Sequence, residues 1–274
     1  MISGFDVAQA LDGGIADRQR AWTFIRDFAA AWTEPLTEDD GTPPAELARA
    51  EALLGHPLPT ALREFHGLVG ARPDLVANQD SLLPPDEIFV DDECEGVLVF
   101  RNENQGCAFW GVRLSDLHLD DPPVLLDAGH GWAPCFDRVS LACVEIVLSE
   151  ALFGGGGRLY NACELPAELL GTFPVHFRRV GLPDYPMWTG PDESPVHWYS
   201  APGKLLRQDG LGTHSWLHVR GRTRADLDEI CATVPARWSL GYAEPTGGRT
   251  YDHEPTPAAV PVAMRSLVSG QGSP

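Results

Sequence analysis

Positive charge is what this sequence has least of. Only 20 Lys+Arg stand against 39 Asp+Glu, for a formal net charge of -19, and a single lysine, Lys204, accompanies nineteen arginines. Nucleic acid and anionic membrane surfaces would be repelled by such a chain, which argues against both as direct partners. No window approaches about 18 uninterrupted apolar residues, so no bilayer-spanning segment is expected. The six cysteines (Cys94, Cys107, Cys135, Cys143, Cys163, Cys231) form no CxxC pair and no zinc spacing. The first residues, Met1-Ile2-Ser3-Gly4-Phe5-Asp6, lack the basic and apolar stretches of a secretory signal. A reduced, cytoplasmic protein is the expectation.

What is present is a chain of 274 residues and 43% hydrophobic content, enough to bury a core without a disulfide or metal. The acidity is lopsided. Residues 1–153 hold 9 Lys+Arg and 27 Asp+Glu, a net of -18, whereas residues 154–274 hold 11 and 12, a net of -1.

Trp22, Ile25, Phe28, Ala29 and Trp32 recur at helical spacing and predict an amphipathic helix over 17–32. An acidic loop, 34–41, follows. Thr42-Pro43 reads as an N-cap with proline in the first turn, opening a helix that Gly55 closes. A second short helix carries Leu62, Phe65, Leu68 and Val69 up to Gly70. Beyond Pro84-Pro85 the chain turns β-branched and aromatic, with strands expected at 88–90, 97–100, 107–110 and 124–126. Asp137 is the expected cap of a buried helix over 138–153, closed by Gly154 to Gly157. Further strands are expected at 175–179, 196–199, 204–207 and 215–220, with Asp209-Gly210 marking the last hairpin turn. Thr223 to Asp226 resembles a capping box for a last helix through about Cys231. Residues 242–274 read as a Pro/Gly-rich disordered tail. The expected class is α+β: N-terminal helices and a largely antiparallel twisted sheet packed with one buried helix.

No Gly-x-Ser-x-Gly, His-Glu-x-x-His or dinucleotide fingerprint occurs, and Gly154 to Gly157 lacks the Gly-Lys-Ser/Thr ending that cradles phosphates. The best enzyme case is Cys135 with His130 in Gly129-His130-Gly131-Trp132-Ala133-Pro134-Cys135, since a thiol nucleophile needs a base in reach. It matches no Cys/His signature, and a loop histidine beside a partly buried cysteine is the simpler reading. His214 and His218, four apart on a strand, with His197 nearby, would begin a metal site but lack a defined third ligand. The expectation is no catalytic residue, no metal and no cofactor. The acidic clusters Glu38-Asp39-Asp40, Asp91-Asp92-Glu93-Cys94-Glu95, Glu103 and Asp120-Asp121 lie in predicted turns without the alternating pattern of a Ca²⁺ loop. They read either as solvated turns or as a negative surface for a cationic protein.

Ala50 to Gly70 (AEALLGHPLPTALREFHGLVG) resembles the opening motif of the SUKH superfamily (Smi/Knr-type): helix, Leu-Gly, an LP turn and a helix ending near Gly. Leu82 to Glu87, Gly96 to Val112 (GVLVFRNENQGCAFWGV) and Ser140 to Phe153 (SLACVEIVLSEALF) are similar to its actinobacterial branch. Asp184-Tyr185-Pro186, Trp198-Tyr199 and Trp216 to Arg220 extend the likeness to about Trp238. His66 departs from the motif, which has an aromatic such as Tyr there. The resemblance implies a single SUKH-like domain over 1–241, with a core motif at about 42–153 and a strand-rich extension at 154–241. It also implies a function in protein binding without catalysis: immunity proteins that neutralise polymorphic toxins, often nucleases or deaminases, or general interaction and regulatory modules.

Nuclease toxins tend to be basic, and a net of -18 on one half of the chain would steer such a partner. The residues expected to meet it are Asp91, Asp92, Glu93, Glu95, Glu103, Asp120, Asp121 and Trp132. Trp110 is the second aromatic candidate, with a core position favoured because it lies inside a strand.

Overall fold

In a computed structural model of the chain, the described residues are 5–239 except 93–95, 155–156, 171, 190–194 and 211–214. The expected tail, 242–274, lies outside them, as do Glu93, Glu95 and His214.

Helices come first: α1 (Val7–Ala10), α2 (Arg18–Trp32), α3 (Pro44–Leu54), α4 (Thr60–Val69) and α5 (Pro73–Val76). Asp17 caps α2 through a bond from the Arg20 N–H, and the face carrying Trp22, Ile25, Phe28, Ala29 and Trp32 is buried as its spacing predicts. The α3 cap differs from expectation. Pro43 occupies the N-cap position, and Thr42 is buried, with its N–H donated to the His66 carbonyl at 2.8 Å. Gly55 closes α3 in the left-handed region, φ 71°.

The strands form two antiparallel sheets where one was expected. In the first, β1 (Ser81–Leu82) and β2 (Phe89–Asp91) both pair with β3 (Val97–Asn102). It continues through β4 (Phe109–Arg113), β5 (Val124–Asp127) and β6 (Ala133–Phe136). After α6 (Val139–Phe153), the second sheet runs β7 (Tyr160–Leu165), β12 (Ser215–Gly221), β11 (Lys204–Asp209), β10 (Pro195–Ala201), β8 (Arg178–Arg179), with β9 (Tyr185–Pro186) also on β10. β6 occupies part of the expected 129–135 loop. The strand expected at 175–179 shrinks to two residues. A capping box of Thr223 and Asp226 starts α7 (Arg224–Thr233) as expected.

Helix α6 is the centre of the molecule. All its residues except Phe153 are buried, α2, α4 and α5 pack on it, and it touches both β6 and β12. Asp137 does not cap it. Asp121 does so from the loop before β5, accepting the Ser140 N–H at 2.8 Å and the Ser140 hydroxyl at 2.6 Å. The opposite face of the second sheet buries Leu206, Leu217 and Val219 against Leu227, Ile230 and Cys231 of α7.

Two carboxylates on α6 face this core, and each needs a counter-charge. Arg101 of β3 donates to Glu145 at 2.7 Å and to Glu150 at 3.3 Å, and reaches Asp80 at 3.4 Å. Its guanidinium also lies 4.6 Å from the Trp110 ring centre. Glu150 further accepts the backbone N–H groups of Asn78, Gln79 and Asp80. From the second sheet, Arg207 of β11 donates to Ser149 at 3.2 Å and to Asp209 at 2.7 Å, while Ser149 donates to Glu145. Tyr185 donates to Glu145 at 3.0 Å and accepts from the Trp198 indole at 2.9 Å. Burial would push the Glu145 carboxyl up, but Arg101 and Arg207 more than reverse this and hold it below its ordinary value.

Arg101→Met should cost about 3–5 kcal/mol of stability in urea denaturation, because it strands Glu145 and Glu150 in the core. A separate effect is expected at His66, 1% exposed and with no hydrogen bond to either ring nitrogen. Burial lowers its pKa to about 4. The unfolded chain binds that proton near pH 6.5, so this stability is present above 6.5 and is lost as pH falls towards 4. The difference is about 3 kcal/mol. His66→Phe should flatten that part of the pH dependence, and identical wild-type and variant profiles between pH 7 and 4.5 would refute it.

Candidate partner-binding site

The register of the first sheet separates its residues into two faces. Arg101 pairs with Trp110 and Leu98 with Val112, on the side where Arg101 meets Glu145 of α6. Phe89 pairs with Val99 and Asp91 with Val97, on the other side, together with Phe109 and Gly111. On this other face Phe89 is 42% exposed and meets Phe109 edge-on, with ring centroids 6.2 Å apart. Phe109 pairs in turn with Asp127 at the end of β5.

The β5–β6 turn then supplies an indole. Asp127 accepts three consecutive N–H groups, from Gly129, His130 and Gly131 at 2.8, 3.1 and 2.9 Å. Positive φ angles of 84° and 90° at Gly129 and Gly131 let the backbone wrap the carboxylate in this way. The turn delivers Trp132, whose indole N–H donates to Asp91 at 2.8 Å. β6 and β2 are separated in the sheet by β5, β4 and β3. The indole therefore joins distant strands, and a half-buried aromatic group is held rigid beside exposed Phe89 and Asp92.

The expected site residues thus divide. Asp91 and Trp132 are bonded to each other, and Asp92 is exposed next to them. Glu93 and Glu95 are not described. Glu103 is buried and folds the β3–β4 turn, accepting from the N–H groups of Gln105 and Cys107. Asp121 is spent on the start of α6. Asp120 binds Arg18 at 3.3 Å and the Thr60 hydroxyl at 2.8 Å; these interactions hold its carboxyl below the ordinary range, with the Thr60 bond the main cause. Glu103 and Asp121 are therefore structural carboxylates, and their place in turns gave no hint of it. Trp110 is buried, as a strand position suggested.

Catalytic readings find little support. Cys135 is 8% exposed on β6, and burial, with a contribution from Glu145, pushes its thiol well above the usual range. His130 is exposed on the turn, with its backbone held by Asp127. On the second sheet His197 pairs with Gln208 while His218 pairs with Arg207, so the two imidazoles lie on opposite faces and cannot share an ion. His197 reaches Asp184 at 3.2 Å; His218 bridges Asp209 at 3.3 Å and the Tyr160 hydroxyl at 2.7 Å. Burial raises that phenol to about 12. Among the described residues no cluster of three or more metal-ligating side chains occurs, and no helix is long and apolar enough to cross a membrane.

Comparison of the chain with protein-family models, with curated proteins and with solved structures finds no match.

Thiol accessibility distinguishes a packed Cys135 from an activated one. Iodoacetamide on the native protein at pH 8 should label exposed Cys107 readily and Cys135 at least tenfold more slowly. Faster labelling of Cys135 than of Cys107 would restore the nucleophile reading.

Proposed function

We propose that this chain is a non-enzymatic, SUKH-type protein-binding protein that neutralises a basic toxin domain, of nuclease or deaminase type, by direct binding. One observation carries the reading: Asp91 and Trp132, distant in sequence, meet on a partly exposed aromatic face of the acidic half of the chain. Rigid aromatic anchors rimmed by carboxylates suit an interface in which charge speeds the encounter and buried rings slow dissociation. The burial of Cys135 and Glu145, and the commitment of Asp121 to the start of α6, support a binding role over a catalytic one. The immunity role itself rests on the resemblance of the opening motif and of the α6 segment.

The partner is sought by affinity capture from the source organism and by inspection of neighbouring genes for a toxin domain. With that partner in hand, reversing Asp91, Asp92, Glu93 and Glu95 to Lys should lower the association rate at least tenfold at low salt, with a smaller loss at high salt. An unchanged rate removes the steering role. A captured set of interactors unrelated to toxins, bound with little salt dependence, would favour a general interaction module instead.

A further inference from the structure

A second surface of the acidic half has the shape and charge of a receptor. A groove of about 630 Å³ runs between the turn 38–41, the start of α3 and the side of α4. Its apolar lining comes from Pro43, Pro44 and Leu47, and Glu38 and Asp39 stand at its rim. Among the described residues, neither of these two carboxylates has an ion pair or a side-chain hydrogen bond, unlike neighbouring Asp40. The other charged groups in the lining are already engaged: Glu64 by Arg18 and the Trp22 indole, and Arg63 by Glu51.

The groove walls are fixed by backbone contact. Thr42 donates its N–H to the His66 carbonyl, and Ala71 donates to the Asp40 carbonyl at 2.9 Å. Gly41 lies so close to α4 that a Cβ there would sit 1.9 Å from the Gly67 carbonyl oxygen. Gly41 is therefore required by packing, but Gly67 is not. Gly67 lies inside α4, where glycine is destabilising relative to alanine, yet a Cβ at this position would meet nothing within 4 Å. The side chain missing at Gly67 leaves the groove open at that point.

We infer that this groove is a docking site for a cationic, partly apolar segment of a partner protein, with an Arg or Lys side chain passing over Gly67 to Glu38 and Asp39. The inference rests on the reading of the chain as a binder of basic proteins and assigns that partner a second contact, separate from the Trp132 face. Charge complementarity selects the occupant: the two free rim groups are both carboxylates, and an acidic segment would be repelled. A guanidinium suits the site best, because its flat, weakly hydrated face packs on proline and leucine while its N–H groups reach carboxylates.

The test needs no cognate partner. A fluorescein-labelled peptide of alternating Arg and Leu is titrated against the full chain by fluorescence anisotropy. Glu38→Gln with Asp39→Asn should weaken binding at least tenfold. Asp86→Asn with Glu87→Gln removes the same charge from exposed residues before β2 and should change it less than twofold. Gly67→Leu should also weaken binding at least tenfold while the thermal midpoint stays level or rises, because a Cβ at this position meets nothing within 4 Å and leucine replaces glycine inside a helix. Equal losses in the two charge pairs, wild-type affinity in folded Gly67→Leu, or no peptide binding by the wild type would each overturn the inference. None of these results depends on the lysine reversals at Asp91 and Asp92, so the two surfaces fail or stand separately.

Discussion

Two carboxylates buried on one apolar helix set the terms for this fold. Glu145 and Glu150 lie on α6, among residues that are otherwise hydrophobic apart from Ser140 and Ser149. A charge in such a place is tolerable only with a counter-charge and a filled set of hydrogen bonds. Arg101 comes from the first sheet and Arg207 from the second, so satisfying one helix ties both sheets to it. The remaining capacity is filled by Ser149, Tyr185 and the 78–80 backbone. Apolar contacts already resist sliding of either sheet on α6 through packing, but they are not directional. A guanidinium that must meet a particular partner adds that direction, from Arg101 to Glu145 and from Arg207 to Ser149.

The same network changes the meaning of the charge. A net of -18 over residues 1–153 counts every carboxylate alike. Asp80, Glu145 and Glu150 are tied to Arg101, and Glu103 and Asp121 hold backbone and hydroxyl groups. Their charge is committed inside the fold and is offset in part by Arg101. An approaching partner is attracted instead by carboxylates that are exposed and, among the described residues, unpaired, such as Glu38, Asp39 and Asp92. The acidic half is thus part internal scaffold and part receptive surface, and only the second part bears on binding.

Much of the fold was legible where a single period or cap decides the outcome. The face of α2, the glycine stops of α3 and α4, the buried α6 and the α7 capping box all follow from local pattern. What escaped depends on partners far away in the chain. Asp121 caps a helix that starts nearly twenty residues later. β1, β8 and β9 are two-residue strands that exist only because a neighbour presents an edge, too short for any periodicity. One signal was available. Glu145 and Glu150 inside an apolar helix, with Arg101 inside an apolar strand, demand one another on charge grounds alone. Of the candidate site, the residue types and Trp132 were readable, but its bond to Asp91 was not.

Separating rigid from free carboxylates also separates two tasks that a binding protein must perform. Long-range attraction needs charge that remains exposed until the partner arrives, and it affects the rate of encounter more than the lifetime of the complex. Lifetime comes from groups already held in their bound positions, since ordering them later costs affinity. Trp132 meets the second requirement because Asp91 fixes its indole, and one carboxylate is partly withdrawn from steering to do so. Asp92, one residue on, has no such duty and remains free to attract. Neighbouring acids of the same type therefore act at different stages of one association. Neutralising Asp91 should affect dissociation as well as approach, whereas neutralising Asp92 should affect approach alone.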